Sequence, residues 1–200
     1  MIYIIFFMGL SIGFLLNFII NRISFSISGT ISGGKNRLIL TILFNVLLFL
    51  ICFFRFGFNI LFFKAVVLVS ILIIVSVVDL KHKIIPNFMV ILTLAMGILF
   101  LLARDISFTS ALLGMLVGGG LLFLLAFMPG AMGGGDIKLM FALGAFLGLN
   151  KTLGALIIAF IVAGVISAFL LLFKLKGRKD VIPFGPFLAL GSIISFLFIF

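Results

Sequence analysis

The sequence predicts an all-α, polytopic membrane protein of about eight transmembrane helices. Three observations predict it. Hydrophobic types fill 66% of the 200 positions, against roughly 45–50% in an ordinary soluble chain. Charged residues reach only 9%, and the mean hydropathy is +1.60. Apolar runs recur along the whole length instead of forming one block. So little charge cannot cover such a core in water, which excludes a soluble enzyme. Disorder requires low hydrophobicity and high charge, and is excluded too. The recurrence of the runs excludes a single-span anchor with a soluble head.

A helix crossing the bilayer takes about 20 residues, so eight of them use roughly 160 positions and leave roughly 40 for connections. That leaves no room for a folded domain outside the lipid, and residues 1–200 are predicted to form a single transmembrane domain. The first span covers about residues 1–21. It is apolar from its start, lacks a positive n-region and is followed by no A-x-A site, which predicts a retained span and not a cleaved signal. A Ser- and Gly-rich polar stretch, 22–37, is expected as a short loop. The second span covers about 38–54, and a turn follows at Arg55, Gly57 and Asn59. The third span covers 60–78 and leads into the polar segment DLKHKIIPN, 79–87. The fourth covers 88–103, with Arg104 and Asp105 marking a turn. The fifth covers 110–127. A Pro129–Gly130 break opens a glycine-rich loop that ends at Asp136. A short sixth span runs to about Leu149, and Asn150 and Lys151 mark a tight turn. The seventh ends near Phe173, the polar loop KLKGRKD occupies 174–180, and the eighth covers about 183–200.

Net charge is +10, from 14 Lys and Arg against four aspartates and no glutamate. In a membrane protein such a balance points to orientation and anionic lipid, and not to nucleic acid. Loops after the odd-numbered spans hold Arg22, Lys35, Arg37, Lys81, Lys83, Lys138, Lys174, Lys176, Arg178 and Lys179. The other side receives Arg55, Lys64, Arg104 and Lys151. The richer side is therefore expected to be cytoplasmic, with both termini outside. The lone Cys52 lies in an apolar run, which excludes an internal disulfide and a cysteine-based zinc site. No metal is expected. The two G-x-x-x-G pairs, Gly114/Gly118 and Gly144/Gly148, predict close helix packing.

The acids carry the chemical signal. Asp79 ends the third span and Asp136 begins the sixth, 57 residues later. The chain crosses twice between them, so both belong to the same membrane face. Ionisable groups at the edge of hydrocarbon are costly and mark function. Two carboxyls brought together cannot both ionise easily and share a proton. One then accepts a proton from water while the other hydrogen-bonds the scissile carbonyl and helps the amine leave. Taken singly, Asp79 also reads as a helix-end residue paired with Lys81 or Lys83, and Asp136 as a helix N-cap. Gly133, Gly134 and Gly135 leave room for a peptide backbone to approach Asp136. Pro86 stiffens the chain after the Asp79 segment. Pro183 and Pro186 bracket Gly185 in a kinked start to the last span on the same face, a third wall. His82, the single histidine, has no nucleophile elbow to serve, and there is no H-E-x-x-H. Asp105 and Asp180 read as solvated loop or cap residues.

Four stretches together resemble the type IV prepilin peptidases, membrane aspartic peptidases of the GxGD class. They are GLSIGFLLNFIINRI (9–23), DLKHKIIPN (79–87), GGGDIKL (133–139) and IPFGPFLALG (182–191). The resemblance implies removal of the basic leader from a prepilin or pseudopilin precursor at the cytoplasmic face of a bacterial inner membrane. It implies that Asp79 and Asp136 are the catalytic pair. Gly133, Gly135, Lys138, Pro86, Asn87, Pro183, Gly185 and Pro186 belong to the same stretches. Lys138 lies about 200° around the helix from Asp136, which disfavours a direct ion pair. Many members of that family carry a larger domain between the first two spans, with zinc-binding cysteine pairs, and methylate the new N-terminus with S-adenosylmethionine. The 22–37 segment has no cysteine, so no cofactor is expected, S-adenosylmethionine entering only if methylation is retained. Partners are the precursor and the bilayer. Asp180 is a candidate attractor for a basic leader. Rival readings are a preflagellin- or presenilin-like GxGD protease, a cation-coupled small transporter, and a silent assembly scaffold. The residues define neither the particular substrate nor an oligomeric state.

Overall fold

The structure is a computed structural model that describes residues 1–29, 34–103, 106–128, 132–175, 177 and 182–199. Arg104, Asp105, Pro129, Gly130, Lys176, Arg178, Lys179 and Asp180 lie outside the described residues. Eight helices follow in order: α1 (Ile2–Ser28), α2 (Lys35–Phe56), α3 (Ile60–His82), α4 (Asn87–Leu102), α5 (Phe108–Leu125), α6 (Gly134–Leu147), α7 (Leu149–Leu172) and α8 (Gly185–Phe198). No strand occurs among the described residues. The all-α, polytopic expectation holds. Backbone N–H and C=O groups have no water to bond in hydrocarbon, and a helix satisfies them within the segment. By length and composition α1, α2, α3, α5 and α7 can each cross a membrane, while α4 and α8 are shorter apolar helices. With 14 residues, α6 rises only about 21 Å, less than the roughly 30 Å hydrocarbon core.

Two boundaries differ from expectation. Within the 22–37 segment, residues 22–28 and 35–37 are helical and not loop, because α1 continues through Arg22 to Ser28 and α2 begins at Lys35. Polar serines do not stop the helix; Ser28 Oγ bonds back to the Ser24 carbonyl at 2.9 Å. Gly29 stops it, in the left-handed region at φ 67°, with its N–H on the Phe25 carbonyl. Asn150 and Lys151 are not a turn either. They lie in the first turn of α7, and the chain reverses at Gly148, φ 75°.

The chain divides into two compact units, residues 1–84 and 85–200. In the first, α1 and α2 are antiparallel. Asn45 Nδ2 donates to the Gly9 carbonyl at 2.9 Å, and a Cβ at Gly9 or Gly13 would come within 3.1 Å of the Val46 or Ile42 Cα. The Phe53–Phe62 edge contact, centroids 6.1 Å apart, joins the end of α2 to the start of α3. There the Asn59 side chain caps the Phe62 N–H.

In the second unit, α5 and α6 run antiparallel, and the G-x-x-x-G pairs pack closely, as expected, with Gly114 against Gly144 and Gly148. A Cβ at Gly114 would lie 2.6 Å from the Gly144 carbonyl oxygen, and one at Gly118 2.9 Å from that of Met140. On the other side of α6, a Cβ at Gly97 of α4 would lie 3.0 Å from the Phe146 nitrogen. Ser110 Oγ accepts the Leu149 N–H at 3.0 Å, so the start of α5 meets the α6–α7 junction. Thr152 then lies beside Gly118, so α7 leaves that junction alongside α5 and against the direction of α6. Ser195 Oγ donates to the Lys151 carbonyl at 2.6 Å, which sets α8 antiparallel to α7. Hence α6 and α8 point the same way.

Replacing Gly144 by Ala drives a methyl into the Gly114 and Met115 backbone, which cannot rotate away. It should cost about 1–3 kcal/mol, read as a lowered thermal midpoint in detergent. Gly164→Ala, whose Cβ meets nothing within 4 Å inside α7, should instead stabilise by up to about 1 kcal/mol.

Candidate active site

Asp79 occupies the last turn of α3 and is 4% exposed. The helix ends three residues later, where Lys83 takes a left-handed conformation, φ 54°, and donates its N–H to the Asp79 carbonyl at 2.8 Å. The same end of the first unit gathers the end of α1 and the start of α2. His82 Nε2 lies 3.2 Å from Ser24 Oγ. Arg37 Nη2 donates to the side-chain oxygens of Asn17, at 3.3 Å, and of Asn21. Arg22, Lys35, Arg37, Lys81 and Lys83 therefore belong to one basic end of this unit.

Sequence reasoning missed the Ser24–His82 contact. Ser24 is only 1% exposed, so no substrate carbonyl can reach its hydroxyl. The contact ties α1 to α3 and supplies no accessible nucleophile. The burial of Lys64 was not foreseen either. Lys64 lies in the second turn of α3 and is 1% exposed. Neither was visible as a pattern, since each depends on which helices become neighbours.

In the second unit, Asp136 is 9% exposed in the first turn of α6. It is not the N-cap. Gly133 holds that position, with extended backbone, and its carbonyl accepts the Asp136 N–H at 3.1 Å. Gly134 and Gly135 are thus helical and not loop residues. The three glycines do different work. A Cβ at Gly133 would lie 2.9 Å from Asp136 Oδ2, so glycine there leaves the carboxylate its position. A Cβ at Gly135 would lie 3.1 Å from the Ile85 Cβ, so glycine lets α6 close on the segment before α4. Gly134 faces open space, the side from which a chain can approach.

Pro86 caps α4 with extended backbone, φ −63° and ψ 133°. Asn87, the first residue of α4, accepts a hydrogen bond from Lys138 Nζ at 3.3 Å. That bond brings together residues from two of the conspicuous sequence stretches and gives Lys138 a partner other than Asp136. At α8, Gly185 and Pro186 are the first two helical residues, with Pro183 just before the Phe184 cap. Pro186 lacks only an N–H that the first turn leaves unbonded anyway, so it starts the helix without costing a hydrogen bond. Since α6 and α8 point the same way, this start faces the same direction as Asp136. No group of three or more His, Cys, Asp or Glu side chains forms a metal-holding set among the described residues.

These features define a multi-pass α-helical membrane protein with buried carboxyls at helix ends. The chain belongs to the Type IV leader peptidase family, whose profile matches residues 66–168. That segment holds Asp79, Pro86, Asn87, Gly133, Gly135, Asp136 and Lys138, and it stops short of 183–186. This is the family to which the four stretches pointed. The prepilin leader peptidase/N-methyltransferase of Bacillus subtilis is 35% identical over 152 residues, 72% of this chain and 59% of its own. The protein of that name from Xanthomonas campestris is 34% identical over 154 residues, 71% of this chain and 52% of its own. One from Myxococcus xanthus is 36% identical over 134 residues, 63% and 40%. The chain spans about half the length of the curated relatives it matches. No solved structure matches it.

The Lys138–Asn87 bond joins two exposed residues. A double-mutant cycle of Lys138→Met and Asn87→Ala should give a coupling of about 1 kcal/mol or less in thermal unfolding. A larger coupling would show that the pair organises more of the α4–α6 junction than this contact.

Proposed function

We propose that this chain is a membrane aspartic endopeptidase that removes the basic leader from a prepilin or pseudopilin precursor. Asp79 and Asp136 are its catalytic pair, working at the cytoplasmic face of a bacterial inner membrane with both termini outside. The observation that carries this reading is the setting of the two acids. They are the only carboxylate side chains among the described residues. Both are buried in the terminal turn of a helix, and both fall inside the segment that matches the family.

The chemistry follows from sharing one proton. The ionised carboxylate takes a proton from water as the water oxygen attacks the scissile carbonyl carbon. The protonated partner hydrogen-bonds the carbonyl oxygen as negative charge develops there. Collapse of the tetrahedral species breaks the C–N bond, and a carboxyl proton passes to the leaving amine. The open face at Gly134 lets an extended substrate backbone lie across the first turn of α6. The basic end of the first unit supports the inward orientation. In this reading the pair needs water alone. S-adenosylmethionine enters only if the new N-terminus is methylated, an activity associated with the cysteine-bearing region that the 22–37 segment does not contain.

With a co-expressed prepilin, Asp79→Asn and Asp136→Asn should each lower cleavage at least about 100-fold, the scale of a lost general acid or base. Both proteins should accumulate in the membrane at normal levels. Normal processing by both variants ends the proposal, and ion-dependent flux without processing favours a transporter. A finer comparison uses the glycines. Gly133→Ala forces the Asp136 carboxylate to move and should reduce cleavage about 10-fold or more, whereas Gly134→Ala, placed in open space, should stay within about 3-fold of the parent. Equal rates for the two would contradict the placement of that carboxylate at the reacting bond.

A further inference from the structure

A groove of about 520 Å³ runs between α2 and α3 in the first unit. Arg37, Leu40, Thr41 and Phe44 line it from α2, at helical spacings of three and four. Ile73, Val77, Leu80 and Lys81 line it from α3, again along one stripe. The two helices are antiparallel, so the charged ends of the stripes coincide. Arg37, in the first turn of α2, and Lys81, in the last turn of α3, stand at one end. Phe44 and Ile73 close the other, about 12 Å deeper by helix rise. Leu40, Phe44 and Leu80 are exposed, as befits a wall that meets acyl chains and not water.

Arg37 gives this groove its chemistry. Its Nη2 is committed to Asn17 and Asn21, which fixes the guanidinium in place. Its Nε is buried without a hydrogen-bond partner among the described residues. That N–H is closed to a lipid headgroup, but Arg37 lines the groove and its fixed positive charge favours an anion there. Lys81 is exposed at the same end and adds a second positive charge.

We propose that this groove binds an anionic phospholipid of the surrounding leaflet. The phosphodiester meets the Lys81 ammonium within the positive field of Arg37, both of which line the groove, and an acyl chain lies along Leu40, Phe44, Val77 and Leu80. The charged end and apolar depth match the order of headgroup and tail in a bilayer, and a cationic rim favours an anionic lipid over a zwitterionic one. The site is separate from the proposed catalytic acid. Asp79 is two residues from both Val77 and Lys81, about 200° around α3, and so faces away from this stripe.

The test uses the full chain in nanodiscs that hold photoactivatable phosphatidylglycerol or phosphatidylcholine at equal mole fraction, with cross-links mapped by mass spectrometry. Phosphatidylglycerol should label Leu40, Phe44, Val77 and Leu80 about 5-fold more than phosphatidylcholine does, the scale of one interfacial charge. Lys81→Gln should remove most of that preference. Val77→Trp, which fills the groove and leaves both charges, should abolish labelling there. Asp136→Asn should label like the parent, so failure of the peptidase reading and failure of this one are separable. Equal labelling by the two lipids overturns the proposal, as does a preference untouched by Lys81→Gln. Displacement by an uncharged apolar helical peptide as readily as by unlabelled phosphatidylglycerol would assign the groove to a protein helix and overturn it as well.

Discussion

Everything in this protein answers to the inability of hydrocarbon to hydrogen-bond a peptide group. Helices meet that demand along the backbone. Several buried or half-buried polar side chains meet it by bonding to backbone carbonyls. Thr93 and Thr152 return their hydroxyls to carbonyls four residues back, at 2.7 and 2.6 Å, and Ser76 does the same at 2.7 Å. Asn45 bridges to the Gly9 carbonyl. Lipid tails are as apolar as leucine, so little hydrophobic force draws one helix to another. Close backbone contact has to do that work, and glycine permits it. The Gly114–Gly144 and Gly191–Ala155 approaches both express this rule in the second unit, and α6 is held between α4 and α5 by glycines on both neighbours.

Helix ends then become the places where chemistry can sit. A carboxylate in the middle of a span would face hydrocarbon with nothing to offset its charge. Asp79 and Asp136 instead occupy terminal turns, Asp79 just before the left-handed Lys83 that ends α3 and Asp136 just after the Gly133 that caps α6. The shortness of α6 belongs to the same design, since a 14-residue helix cannot fill the membrane. The second unit accordingly places Gly133, Gly134, Asp136, Lys138 and Asn87 around one helix start.

Much of this was legible in one dimension. Composition alone dictates a multi-span helical protein. Breakers and polar clusters locate most helix ends to within a few residues, as at Asn59, Pro86 and Gly133. The acids at 79 and 136, with their neighbouring stretches, pointed to the family that the comparisons establish. What failed did so for physical reasons. Serine and arginine after residue 21 looked like a loop, but both are compatible with a helix that leaves the membrane, and only the left-handed Gly29 ends it. Asn150 and Lys151 looked like a turn, but the reversal needs a positive φ, which Gly148 provides one residue before α7.

Hydropathy and the order of residues thus determined the fold class, the number of helices, the family and the acids worth testing, because each depends on local chemistry or on patterns along the chain. Packing decided the rest. The Lys138–Asn87 bond, the burial of Lys64, the Ser24–His82 contact and the cationic groove between α2 and α3 join residues from different helices. No sequence separation encodes such neighbours. They exist only once helix faces have chosen their partners, and that choice rests on close-range shape, above all on where a missing Cβ lets two backbones touch.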